Sequence, residues 1–289
     1  MLKRSTVQLL RFHFSFFLMP VYWFALGQVL QPDIGRAVII FLILHILIYP
    51  SSNGFNSYMD RDEGSIGGLK SPLRPTPQLL YVSLAMDMLA LILGFFVGYY
   101  FVIASAIYIL ASRAYSARTI RLKKFPVIGF MTVLICQGAL VFYMVYQGAY
   151  PVWTSRAPTL GMISASLLIG GFYPLTQIYQ HEADAKDGVR TISAMLGIRG
   201  TFIFCGIIYG IAFLTLAYYL LSSLEIKEFL VFSTCQLPIL VYFIIWGVQV
   251  WKNPRLADFR HTMKMNILAS TLTSVGFILV FLMHYFNPY

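Results

Sequence analysis

Residues 49–64 read YPSSNGFNSYMDRDEG and close a long apolar run. They carry a ladder of amide and carboxylate side chains, Asn53, Asn56, Asp60 and Glu63, at steps of three, four and three residues. On an α-helix those steps bring all four groups onto one face. The ladder recurs in residues 173–188, YPLTQIYQHEADAKDG, as Gln177, Gln180, Asp184 and Asp187. Laid together without a gap, both stretches begin with Tyr-Pro and end with Gly, and Asp60 falls on Asp184 and Glu63 on Asp187.

The setting of the two ladders is a membrane. Of the 289 residues, 58% are hydrophobic and 11% charged, whereas soluble domains average about a quarter charged. The apolar runs are continuous rather than alternating, which argues against a sheet barrel. Nine segments approach the length of a span, at 13–31, 37–59, 79–97, 99–115, 126–147, 159–180, 201–222, 228–250 and 264–286. The expected fold is therefore an all-α polytopic bundle of about nine transmembrane helices around a central cavity, with 1–289 as a single domain. The basic start followed by an apolar run reads as a first span rather than a cleaved leader. The three cysteines lie far apart in apolar runs and suggest neither a metal site nor a disulfide framework.

Charge placement orients the bundle. With the N-terminus cytoplasmic, eighteen of the 21 Lys and Arg fall on the cytoplasmic side, and only Arg36, Arg156 and Lys227 on the other. That bias predicts an inner-membrane protein with its N-terminus inside, and it accounts for the net charge of +10 without nucleic acid. Both ladders then sit at inward-running ends of spans two and six. Four spans separate them, so the halves are expected to be parallel pseudo-repeats. No obligate protein partner is evident.

The ladders offer only oxygen donors, which favours Mg²⁺ over zinc or copper. Two facing stripes suit Mg²⁺ around a diphosphate, with Asn56, Asp60, Glu63, Gln180, Asp184 and Asp187 as ligand candidates. Lys70, Arg74, Arg121, Lys123, Lys186 and Arg190 in the loops would take the remaining phosphate charge. Asn53 and Gln177, the first rungs, are further candidates for substrate contact. One acidic stripe at a helix end is commonly a solvated face. Two gapless copies argue against that.

At these residues the chain resembles the UbiA superfamily of intramembrane prenyltransferases, whose motifs are N-x-x-x-D-x-x-x-D and D-x-x-x-D. The first motif matches at Asn56 and Asp60, and its last Asp falls on Gly64. The second falls on Gln180 and Asp184, with an amide for its first Asp. The family's later Gly and Thr appear as Gly188 and Thr191, and its Tyr-Ser and Arg-Leu-Lys elements as Tyr115, Ser116, Arg121, Leu122 and Lys123. The resemblance implies a prenyl diphosphate substrate, Mg²⁺ as cofactor and a lipophilic, often aromatic, acceptor. It also implies a cytoplasm-facing site with Asp60, Asp184 and Tyr115 as catalytic residues. Glu63 and Asp187 are expected to replace the charge lost at Gly64 and Gln180. A membrane terpene cyclase is the alternative within the superfamily. A cation transporter is the alternative outside it, disfavoured because Lys and Arg beside the acids would repel an entering cation. Asp87, inside span three, is expected to form a structural ion pair with an Arg, and Gln137 and Gln147 are candidates to line the cavity.

Overall fold

The computed structural model describes residues 1–61, 64–152 and 154–286. Among them the regular elements are all helices. Nine are long: α1 Arg4–Gly27, α2 Ile34–Asp60, α3 Pro77–Gly94, α4 Tyr99–Ser116, α5 Pro126–Ala149, α6 Thr159–Gln177, α7 Ile192–Ser222, α8 Ile226–Lys252 and α9 Phe259–Phe286. Each matches one segment expected from the sequence. All except α4 are long and apolar enough to cross a membrane, eight in number. Helix α4 has the length, 18 residues, but Arg113 and its serines and tyrosines lower its hydropathy. Large side chains such as Phe95, Leu110 and Leu214 stand exposed on the outside of the bundle. An apolar exterior of this kind faces lipid, and the chain is an integral membrane protein.

Local chemistry sets the helix ends. Pro77 and Pro126 open α3 and α5, where a missing N–H costs nothing. Asp33 caps α2 by accepting from the Arg36 amide at 3.0 Å, and Thr191 caps α7 by accepting from the Ala194 amide at 3.2 Å. Helix α1 breaks at Arg11, whose φ is 48°.

The first and last spans meet. Phe24 of α1 stacks on Phe277 of α9 at 4.5 Å, and Phe277 stacks on Phe232 of α8 at 4.5 Å. Helices α5 and α6 approach through Gly138, where a Cβ would lie 2.3 Å from the Ser166 Cα. Gly54 plays the same part between α2 and α3, since its Cβ would lie 2.7 Å from the Ser83 Oγ.

The charge on α4 is neutralised where it sits. Arg113 donates from Nε to Asp87 of α3 at 3.1 Å and from Nη2 to the Ser51 Oγ of α2 at 2.6 Å. The Ser51 hydroxyl also hydrogen-bonds Asp87, at 2.6 Å. The guanidinium lies 4.3 Å from the Phe55 ring centroid. This is the ion pair expected for Asp87, and it ties α2, α3 and α4 into one unit. Removing one partner from a buried pair leaves a bare charge, at a cost of about 3 kcal/mol, whereas replacing both by apolar groups costs little. Asp87→Ala is expected to lower the unfolding midpoint in detergent further than the double variant Asp87→Leu, Arg113→Leu. Equal losses in the two would show that the pair does not act as a unit.

Candidate active site

The C-terminal ends of α2, α4 and α6 converge at one end of the bundle with the starts of α1 and α7. They enclose a polar chamber whose empty space, open mouth included, is about 1240 Å³. Asn53, Asn56 and Asp60 line it from the first ladder, and Gln177, Gln180 and Asp184 from the second. Gly64, Tyr115 and Lys123 line it too. Asp60, Tyr115 and Asp184 all border the same cavity, so the two carboxylates face one space.

Neither ladder runs as one unbroken α-helix, contrary to the sequence expectation. Helix α2 ends at Asp60 because Arg61 turns left-handed at φ 55°. Arg118 then covers the bare carbonyls, donating to Met59 O at 2.7 Å and Asp60 O at 3.4 Å. Glu63 lies outside the described residues. The second ladder is split into a 3₁₀ turn, Tyr173–Gln177, and a short helix, His181–Lys186. Gln180 and Asp184 stay in register, because the Asp184 amide donates to Gln180 O at 2.9 Å. Gly188, at φ 68°, reverses the chain toward α7.

The basic loop between α4 and α5 grips the acids. Lys123 pairs with Asp60 Oδ2. Arg121 lies 3.6 Å from Asp60 Oδ1 and pairs with Asp187, which Arg118 also approaches at 3.7 Å. Arg121 is thus a bridge between the two motifs. Asp187 meets these cations and is not among the chamber-lining residues. Lys70, Arg74, Lys186 and Arg190 stand exposed outside the lining.

Hydrogen bonds fix the amides and hydroxyls. Asn56 donates to Ser116 Oγ at 3.0 Å and Gln180 to Ser65 O at 3.1 Å. The Tyr115 and Tyr173 hydroxyls are joined, and Gln177 donates to Tyr173 at 2.8 Å. The short helix is pinned by His181, whose Nε2 hydrogen-bonds Ser193 Oγ at 2.7 Å. Burial lowers the pKa of that imidazole. Arg11 was not singled out in the sequence. It is buried at the chamber wall and donates to Gly67 O at 3.2 Å and Asn53 O at 3.3 Å. Its signal was one Arg between two apolar stretches. Gln137 lines the chamber, whereas Gln147 is buried elsewhere.

Residues 14–268 match the model of the UbiA prenyltransferase family. The bacteriochlorophyll synthase 33 kDa chain of Cereibacter sphaeroides is 30% identical over 162 residues, or 52% of this chain, and the match spans about half of that relative, 51%. A UbiA homologue of Archaeoglobus fulgidus, solved with DMAPP and Mg²⁺, has a TM-score of 0.67 at 20% identity, covering 96% of this chain and 99% of that one. A homologue from Aeropyrum pernix K1 has a TM-score of 0.70 at 15% identity, covering 92% and 97%. These structures share the fold.

Arg121→Ala removes the bridge between the motifs. A partly exposed pair is worth about 1 kcal/mol, or roughly fivefold in a local opening equilibrium. Amide exchange in residues 181–187 is expected to speed up by that order, while α8 keeps its protection. Unchanged exchange there would mean that Arg121 does not hold the short helix.

Proposed function

The chain belongs to the UbiA prenyltransferase family, and from that premise we propose that it transfers a prenyl group from a prenyl diphosphate to a lipophilic acceptor within the membrane, with Mg²⁺. The observation that carries this reading is the pair of carboxylates, Asp60 and Asp184, brought from separate parts of the chain to one polar chamber with Lys123 beside them. Positive charge concentrated at this end supports reading the chamber as facing the cytoplasmic side of an inner membrane, with the N-terminus inside.

The residues fit a hard divalent cation. Asp60 Oδ1 and Gln177 Oε1 are buried and accept no hydrogen bond among the described residues. No cluster of three His, Cys, Asp or Glu forms among those residues. The metal shell would therefore draw on Asp60 and Asp184, amide oxygens of Asn56 and Gln180, and the diphosphate. Mg²⁺ typically takes one or two carboxylates and fills its shell with phosphate oxygens and water. Bound there, it would stabilise the charge on the departing diphosphate.

The chain's own groups supply the rest. Lys123 and Arg121 stand ready to neutralise phosphate oxygens, and the buried, unpartnered Asn53 Nδ2 is a donor at the same wall. The bond between the prenyl carbon and the diphosphate oxygen breaks, and its electron pair leaves on the diphosphate. Tyr108, Tyr115 and Tyr173 line the chamber, and their rings would shield the allylic cation from water. The acceptor's nucleophilic atom bonds to the prenyl carbon, and its proton passes to water at the mouth. In this reading Asp187, engaged by Arg121 and Arg118, anchors the basic loop.

Membranes carrying the protein, given prenyl diphosphates of several lengths, are expected to yield a prenylated lipid by mass spectrometry with Mg²⁺ and none with EDTA. Asp60→Ala and Asp184→Ala are each expected to reduce diphosphate release by about a hundredfold or more, the scale for losing a charge-stabilising group. Full activity in either variant would overturn the site. A hydrocarbon or alcohol formed without acceptor would identify a cyclase.

A further inference from the structure

Asp184 rides on the six-residue helix His181–Lys186, with Gln180 just before it. A helix this short does not hold its shape alone, and none of its residues is buried. Its place is therefore set by tethers to the rest of the bundle. Side chains make such tethers at three points. Arg121 and Arg118 take Asp187 just after the helix. Gln180 donates to Ser65 O at 3.1 Å. His181 reaches Ser193 Oγ of α7, at 2.7 Å.

The first two tethers use groups that the proposed reaction calls on. Arg121 would turn to phosphate oxygens, and Gln180 would offer its amide oxygen to the metal. Both contacts therefore compete with the substrate. His181 and Ser193 stand outside the chamber lining, so their contact does not. His181 and Asp184 lie within one turn of each other, and what fixes the backbone of one fixes the other.

Ser193 can serve as the anchor because α7 is bent. Eight residues along a straight α-helix span about 12 Å, yet Ser193 Oγ lies 3.0 Å from Thr201 Oγ1. The bend is at Gly197, whose φ of 69° and ψ of 172° lie outside the helical region. Thr201 directs its one hydroxyl hydrogen at backbone carbonyls of the bend, Gly197 O at 2.7 Å and Ser193 O at 3.2 Å. Ser193 is then the donor to Thr201, and its oxygen is left to accept from His181 Nε2–H. Donation runs one way, from His181 through Ser193 and Thr201 to the backbone. Both hydroxyl residues are fully buried, and buried bonds of this kind have no water to replace them. Past the bend, α7 is packed on α6, where Phe172 and Tyr209 meet edge to face at 5.1 Å.

We propose that His181 is a positioning residue for the second half of the site. It holds Asp184 at the chamber wall while Arg121 and Gln180 leave their resting partners for the substrate. The role given to Asp184 rests on the prenyl-transfer reading; the tether itself does not.

The first test needs no ligand. Amide exchange in residues 181–187 is followed in the full-length protein in detergent. His181→Leu should speed it about three- to tenfold, the range for one hydrogen bond. His181→Gln, whose amide can donate from nearly the same point, should keep the protection. Ser193→Ala removes the acceptor and spares the bond from Thr201 to Gly197. It should repeat the effect of His181→Leu, and it stands in for that variant if the latter lowers the unfolding midpoint. The same factor should appear in an Arg121→Ala background, because a tether that outlasts the salt bridge acts independently of it. Equal exchange in His181→Gln and His181→Leu, or an effect that vanishes once Arg121 is gone, would overturn the tether. In the assay of diphosphate release, His181→Leu should lower kcat rather than raise KM, since the other tethers are given up only in the bound state. His181→Gln should restore kcat, and an unchanged kcat in His181→Leu would overturn the positioning role. Exchange as expected in a protein that releases no diphosphate would break the prenyl-transfer reading and leave the tether standing.

Discussion

A charge inside a bundle surrounded by lipid must be neutralised where it lies, because water is not there to do it. That constraint organises this structure. Asp87 meets Arg113 across α3 and α4, and Asp60 meets Lys123 and Arg121; at the partly exposed edge of the bundle Asp187 meets Arg121 and Arg118. The first pair is structural and lies outside the chamber lining, fastening α2 to its neighbours at Ser51 and Phe55. The other two involve the site itself. The same basic loop that would receive a phosphate also holds the acids in place without one.

Much of this was legible in the sequence. Span number and position follow from long apolar runs, a signal that depends on bilayer thickness and little on tertiary detail. The ladders were visible because two copies sit at matching ends of spans, and six of their eight rungs line one chamber. Helix continuity was not legible. Arg61 ends α2 in a left-handed turn, and Arg118, distant in sequence, satisfies the freed carbonyls. The split of the second ladder into a 3₁₀ turn and a short helix likewise depends on contacts with Arg121 and Ser193. Spacing alone records none of these partners. Arg11 escaped notice for a related reason: its place in the chamber follows from a break within α1 that its own sequence does not announce.

Exposure separated the basic residues in a way that composition did not. Lys123 and Arg121 are drawn inward by carboxylates, whereas Lys70, Arg74, Lys186 and Arg190 remain at the surface. The pull is electrostatic and local. Inside a low-dielectric end of the bundle each cation gains most within a few ångströms of an acid.

The charges that line the chamber have a consequence for what it can bind. Gly64 and Gln180 both line the chamber where carboxylates were expected from the resemblance. Among the described lining residues, Asp60 and Asp184 are balanced by Arg11 and Lys123. A chamber so balanced has little net pull on a bare divalent cation, whose own desolvation is costly. It has equally little on a bare diphosphate. A diphosphate already carrying its cation is close to neutral and presents both kinds of group at once, so it can exchange with the internal ion pairs without leaving any charge stranded. In the proposed reaction, then, the internal salt bridges are the resting form of the same electrostatic arrangement that the substrate completes.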